Sequence, residues 1–185
     1  MNTVVTSKEA ILNVCRELII TQGWEAINIR TVAAACNVSV GSIYNYFNSK
    51  SDLIAATVES VWCDIFHYPD NQQDFDSFLD CVAQVFDSMK EGDEKYPGFF
   101  TMHSMNFMGK EKLSGQQLMA QSWEHMQKGL YKILMRDKSI RLDAFDEVLT
   151  PEKFVGIIFS LIISSLLQRK YDCSGILGMI RRIIY

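Results

Sequence analysis

Residues 29–47 read Ile29-Arg30-Thr31-Val32-Ala33-Ala34-Ala35-Cys36-Asn37-Val38-Ser39-Val40-Gly41-Ser42-Ile43-Tyr44-Asn45-Tyr46-Phe47. Ile29, Val32, Ala33 and Cys36 share one face of a short helix that follows Asn28, a good acceptor for the free N–H groups of a helix start. Asn37 comes next, one of the few non-glycine residue types that tolerate positive φ. Ser39 caps a second short helix running to about Phe47. Small Ala33 lets the two helices cross closely, and Val38 and Ile43 close the core between them. Two short helices joined by a turn of about four residues form a helix-turn-helix.

The second of these helices has two kinds of surface. Ile43 and Phe47, at i and i+4, turn inward together, while Val40, Gly41, Ser42, Tyr44, Asn45 and Tyr46 spread over the remainder. Small and hydrogen-bonding residues on an open helix face suit a DNA major groove, about 12 Å wide. Asn45 can pair with an adenine edge, Ser42 with several bases and Val40 with a thymine methyl, and the tyrosine hydroxyls can reach phosphates. Lys50 combines a cation with the free N–H groups and positive dipole end of the next helix, a favourable phosphate site. The pattern alone leaves a second reading open, in which the helices merely pack and the tyrosines seal a surface.

Outward from this stretch, almost every segment keeps helical periodicity and none alternates long enough to argue for a sheet, so the expected fold class is all-α. Thr6-Ser7-Lys8-Glu9 opens a first helix with a hydroxyl cap and a Glu three residues on. Its buried stripe is Ile11, Val14, Cys15, Leu18 and Ile19, and Gly23 ends it. Ser49-Lys50-Ser51-Asp52 resembles another capping box and launches a helix through about Phe66. The polar turn Tyr68-Pro69-Asp70-Asn71-Gln72 marks a domain boundary. Further helices are expected at about 74–90, 98–109, 112–136, 151–169 and 174–184, with a break at Glu91-Gly92-Asp93 and with Pro97 and Pro151 in first turns.

The 185 residues, 48% hydrophobic and 22% charged, can bury roughly 70% of the unfolded surface, which excludes disordered and fibrous classes. Five cysteines (Cys15, Cys36, Cys63, Cys81, Cys173) without a CxxC pair, and an N-terminus lacking a basic and then apolar leader, point to a reduced, cytoplasmic protein without structural zinc. The apolar run Phe154–Leu167 is short of the roughly 20 residues that span a bilayer and reads as a buried helix, so no membrane partner is expected. His67, His103 and His125 are too scattered for a metal motif. The net charge of −4 is unevenly distributed. Acids dominate between Asp64 and Glu94, expected to be a solvated face that repels DNA, whereas the charges before Leu53 balance.

Over residues 7–55 the resemblance is specific. Gly23-Trp24-Glu25-Ala26, Ile29-Arg30-Thr31-Val32-Ala33, Asn37 through Phe47 and Ser49-Lys50-Ser51-Asp52-Leu53 resemble the DNA-binding domain of the tetracycline-repressor (TetR) family of bacterial regulators. The resemblance implies an all-α homodimer whose first three helices bind double-stranded operator DNA. It also implies a connecting fourth helix, a divergent helical domain for a small-molecule effector, and last two helices that build the dimer interface. It assigns 1–52 to DNA binding, 53–67 to the connecting helix, and 68–185 to the effector and the dimer. The implied DNA contacts are Ser42, Tyr44, Asn45, Tyr46 and Lys50, to which the exposed pattern adds Ser39, Val40 and Gly41. Three departures stand out: Val40 where Lys or a polar residue is frequent, Asn37 for the usual turn glycine, and no basic N-terminal arm. They imply weaker non-specific attraction and an unusual base preference.

The second half adds physical detail. The segment 154–167 is apolar nearly all round, with Gly156, Ser160 and Ser164 in a row that permits close approach, and the segment 174–184 is amphipathic. Two such helices per subunit, paired about a two-fold axis, make a four-helix interface with Phe154, Ile158, Leu161, Ser165, Ile176, Ile180 and Ile183 as its candidate residues. The middle helices are rich in Phe and Met, which suits an apolar or lipophilic cationic effector. Phe66, Phe78, Phe100, His103, Phe107, Trp123 and Met126 are the candidates, though at helical spacing such residues commonly form core. No GxSxG, P-loop, GxGxxG or HExxH motif or supported carboxylate pair is present, so neither catalytic residues nor a cofactor is expected. The alternative to a ligand-responsive repressor is an architectural or protein-interaction factor on the same fold, without promoter regulation.

Overall fold

The computed structural model describes residues 7–66, 75–100 and 112–185, and every regular element in them is helical. These residues divide into two compact units, one drawn from 1–69 and 92–99, the other from 70–91 and 100–185.

In the first unit, α1 (Lys8–Gln22) begins at Ser7, whose hydroxyl accepts from the Ala10 N–H at 3.1 Å. The cap thus falls one residue later than the Thr6–Glu9 pairing expects, and Glu9 turns to Arg16 instead, 3.4 Å away. Gly23, at φ 82°, ends the helix and donates to the Ile19 carbonyl. The buried stripe is Ile11, Leu12, Cys15, Leu18 and Ile19; Leu12 joins it and Val14 does not. Because α1 lies against α2 (Ile29–Ala35), α4 (Lys50–Phe66) and the 3-10 turn Trp24–Ala26, its covered arc is wider than a single stripe.

Asn28 caps α2 by accepting from the Thr31 N–H at 3.0 Å, and Asn37 takes the left-handed conformation, φ 54°. α3 (Val40–Tyr44) is shorter than expected, because the Tyr46 and Phe47 N–H groups both donate to the Ile43 carbonyl, at 3.0 and 3.1 Å, and tighten the chain into a turn. Before α4, Ser49 Oγ accepts from the Asp52 N–H (3.0 Å) while Asp52 accepts from the Asn48 N–H (2.8 Å), a reciprocal cap of the expected kind.

α5 (Phe78–Lys95) starts later than expected and runs straight through Glu91-Gly92-Asp93. The reason lies across the packing surface. A Cβ on Gly92 would stand 2.7 Å from Ile65 Cγ2 and 2.8 Å from Cγ1, so the glycine serves close approach to α4 and not helix termination. Around this contact Trp62 stacks on Phe66 and meets Phe99 edge-on, and Trp24 also reaches Phe99. The acidic stretch is not uniformly solvated: Asp64 accepts from Lys95 Nζ (2.6 Å) and Tyr96 Oη (2.8 Å), and Asp93 is buried. Burial opposes ionisation of Asp64, but these two partners outweigh it and hold its carboxyl below the usual range. Pro97 lies in a turn with Gly98 (φ 78°) ahead of helical Phe99 and Phe100. The rest of the expected 98–109 helix, and the 68–72 turn, lie outside the described residues.

In the second unit, α5 buries Phe78, Cys81, Val82, Phe86 and Met89. Ser77 Oγ accepts from the Asp80 N–H at 3.0 Å, the local cap that starts α5 at Phe78, and the Phe78 N–H donates to Asp137 Oδ2 at 2.8 Å, from 59 residues away. α6 (Lys112–Arg136) packs on α7 (Pro151–Gln168), with Trp123 edge-on to Phe159 at 6.0 Å. Thr150 caps α7 and Pro151 takes its first position. α8 (Ser174–Ile184) ends beside Tyr185, the last residue. By length and hydropathy α7 could cross a bilayer, yet Phe154, Val155, Ile158, Phe159, Ile162 and Leu166 are buried within the bundle. It is not covered all round, however: Ile157, Ser160, Ser164 and Leu167 face outward. All five thiols are free, and burial pushes Cys15 up to about 11 and Cys81 up to about 12.

Candidate nucleic-acid interface

The site is built on α3 and its flanks. Ser39 holds extended backbone (φ −72°, ψ 154°) and accepts from the Ser42 N–H at 3.1 Å, which directs the first turn of α3. Ile43 and Phe47 are 0% and 1% exposed, closing the small core as their spacing requires. The opposite surface is open: Val40, Gly41, Tyr44, Asn45 and Tyr46 are exposed, as are Ser39 and Lys50. Ser42 differs from the rest. It is half-buried and its hydroxyl lies 2.9 Å from that of Ser39, so the two serines share a hydrogen bond and Ser42 is the less available for base pairing.

An open helix face with a branched aliphatic, an amide and two phenols, bounded by a lysine at the next helix start, can both read base edges and grip phosphates. One further cation joins it that the sequence pattern does not reveal. The Lys8 ammonium stands 5.7 Å from the centroid of the Phe47 ring, brought there by the packing of the first unit although 39 residues separate the two. Nothing in helical periodicity links positions so far apart.

Residues 11–57, from α1 into α4, match the family model described as bacterial regulatory proteins, tetR family. That segment is a tetR-family domain. Two solved structures extend the likeness along the rest of the chain. The transcriptional regulator FadR from Bacillus subtilis, in complex with stearoyl-CoA, aligns with TM-score 0.62 at 16% identity over 94% of this chain and 95% of its own. The HlyIIR mutant protein carrying a GSSGSSG linker aligns with TM-score 0.53 at 14% identity over 95% and 93%. At such identities the likeness speaks for the all-α fold. No curated protein matches the sequence.

The other candidate residues fall as follows. Phe66 is half-buried in the first unit, stacked on Trp62. Phe78, Phe100 and Met126 are buried in the second unit, where Phe78 packs 5.9 Å from Phe154, and Trp123 is partly exposed. His103 and Phe107 lie outside the described residues. Of the dimer candidates, Phe154, Ile158 and Ile180 are 1%, 0% and 0% exposed within a single chain, which removes them from the surface open to a second copy. In α7, apolar on most sides, spacing alone does not specify which side the chain itself covers. Leu161, Ser165, Ile176 and Ile183 are only partly buried. Among the described residues no group of three or more His, Cys, Asp or Glu is placed to hold a metal ion.

Proposed function

We propose that this tetR-family chain is a homodimeric, cytoplasmic repressor that leaves a palindromic operator when a small apolar molecule binds its second unit. The observation that carries the reading is the outward face of α3: Val40, Tyr44, Asn45 and Tyr46 stay exposed while Ile43 and Phe47 satisfy the core. Ser39, Gly41, Ser42 and Lys50 complete the proposed contact set. A dimer makes so short a helix specific, since two copies one helical turn apart, about 34–36 Å, add their half-site free energies.

The outer side of α7 supports the dimer. Ile157 and Leu167 are 48% and 55% exposed, and no atom lies within 4 Å of where a Cβ on Gly156 would stand, so the small-residue row is open within one chain. With Leu161, Ser165, Ile176 and Ile183 these residues form the proposed interface. The effector is proposed to lie among the aromatic and methionine side chains of the second unit, Phe78, Phe100, Trp123 and Met126, with His103 and Phe107 as further candidates. The stearoyl-CoA in the FadR structure makes long-chain acyl thioesters the first class to try.

Gel shifts against the DNA flanking the protein's own gene test the reading. Retardation at about 50 mM salt that weakens steeply by about 200 mM, and that long-chain acyl-CoA reverses, is expected. Absence of any shift at low salt, where phosphate attraction is greatest, would leave a factor acting through protein contacts.

A further inference from the structure

Four basic residues lie between 7 and 66: Lys8, Arg16, Arg30 and Lys50. Arg16 is occupied, its guanidinium donating to Ser60, Asn13 and Glu9. Lys8 and Lys50 are exposed, and among the described residues neither has a carboxylate within 4.0 Å. Each stands at the first position of its helix, Lys8 of α1 and Lys50 of α4, where the positive end of the dipole disfavours a cation by about 0.3–1 kcal/mol. An anion bound there relieves both.

The Phe47 ring brings Lys8 to the end of the recognition segment. Phe47 follows Tyr46 directly and precedes Lys50 by three residues, and Lys8 Nζ lies 5.7 Å from its centroid. A cation over an aromatic face gains about 0.5–1 kcal/mol at an exposed site, which restrains a side chain that would otherwise sweep freely through solvent. The end of the recognition segment thus presents a second ammonium, held by α1, besides the one on α4. DNA offers one phosphate charge per about 1.7 Å of duplex axis, so both can be engaged together.

We propose that Lys8 is a DNA phosphate contact and that the Phe47 ring is its positioning residue. This rests on the DNA-binding reading above. The competing role for Lys8 is to cover Phe47 with its aliphatic stem, and the test separates charge from stem. Wild-type protein, Lys8→Met, Lys8→Arg and Lys50→Met are each titrated onto a non-specific duplex of about 30 bp between about 50 and 200 mM salt, alongside thermal melts. Lys8→Met keeps the stem and is expected to melt like wild type, yet to shallow the plot of log affinity against log salt by about 0.9 per bound protomer. Lys8→Arg is expected to restore the wild-type slope. A wild-type slope in Lys8→Met, with a shallower one in Lys50→Met, would overturn the proposal and leave the DNA-binding reading intact. Failure of wild-type protein to bind any duplex at about 50 mM salt would overturn both.

Discussion

Gly41 sits inside α3, where a Cβ would meet nothing nearer than Ser39 Oγ at 3.6 Å, an ordinary van der Waals contact. The fold itself leaves room for alanine, and alanine is the better helix former by about 0.8–1.0 kcal/mol. Gly41→Ala is therefore expected to raise the urea midpoint while weakening duplex binding, because the bare backbone permits close approach to the groove. A variant that loses stability instead would show that the glycine serves the chain and not its ligand. At Asn45 and Lys50 the expectation divides by chemistry. Asn45→Ala should relax preference at one base pair by about 1–3 kcal/mol, whereas Lys50→Ala should weaken all sequences alike and shallow the salt slope by about one. Competition binding with single-base operator variants distinguishes the two. The exposure of Gly41 and Asn45 was legible in the sequence because α3 is short and its periodicity assigns each side chain a face, and that of Lys50 because it opens α4. The Ser39–Ser42 hydroxyl pair was not, since a hydroxyl's choice between a neighbour and a base depends on rotamers that no spacing specifies.

The helices themselves were mostly legible from their caps. Asn28, Ser39 and Ser49 each accept from the N–H three residues on, and Pro151 opens α7, where the structure adds Thr150 as the cap. α5 is the instructive exception. Glycine between two acids reads as a break, but Gly92 is helical because Ile65 of α4 lies against it. Ile65 is 5% exposed and has little room to withdraw from a new methyl group. Gly92→Ala is accordingly expected to lower stability by about 1–3 kcal/mol in urea denaturation, despite the gain in helix propensity. Pairing it with Ile65→Ala should recover part of the added loss, and strict additivity of the two would refute the contact as the cause.

Across the second unit, half-buried Tyr185 is tied to Asp137. Asp137 accepts from Tyr185 Oη, the Phe78 N–H, and the Ser139 N–H and hydroxyl, while Tyr185 Oη accepts from the Leu79 N–H at 3.3 Å. Burial opposes the Asp137 charge, but these donors outweigh it and hold the carboxyl below its usual range; burial and Asp137 together push the Tyr185 phenol up to about 12. A depressed carboxyl contributes stability that is present above its unfolded pKa, about 3.9, and lost as pH falls through the folded value. Tyr185→Phe is expected to remove about 1.5–3 kcal/mol at pH 7, as for a hydrogen bond to a charged group, and much less near pH 2. Urea unfolding at both pH values checks this; an equal loss at each would mean that the hydroxyl matters through packing alone. For the proposed dimer, Ile157→Glu places a charge on the open side of α7 without entering the core. Sedimentation should then find monomers with unchanged far-ultraviolet dichroism, and a dimer that persists would move the interface elsewhere.

Local order in the sequence was enough to establish that the chain is helical, where most helices begin, and that residues 29–47 form a helix-turn-helix with one face free. Those features depend on contacts three or four residues apart, which spacing records directly. The tertiary structure alone decided that Gly92 continues a helix, that Asp137 accepts from the Phe78 N–H, that Lys8 stands on Phe47, and that Phe154, Ile158 and Ile180 are buried within the chain itself. Each of these joins positions distant in sequence, and only the packed fold specifies which distant surfaces meet.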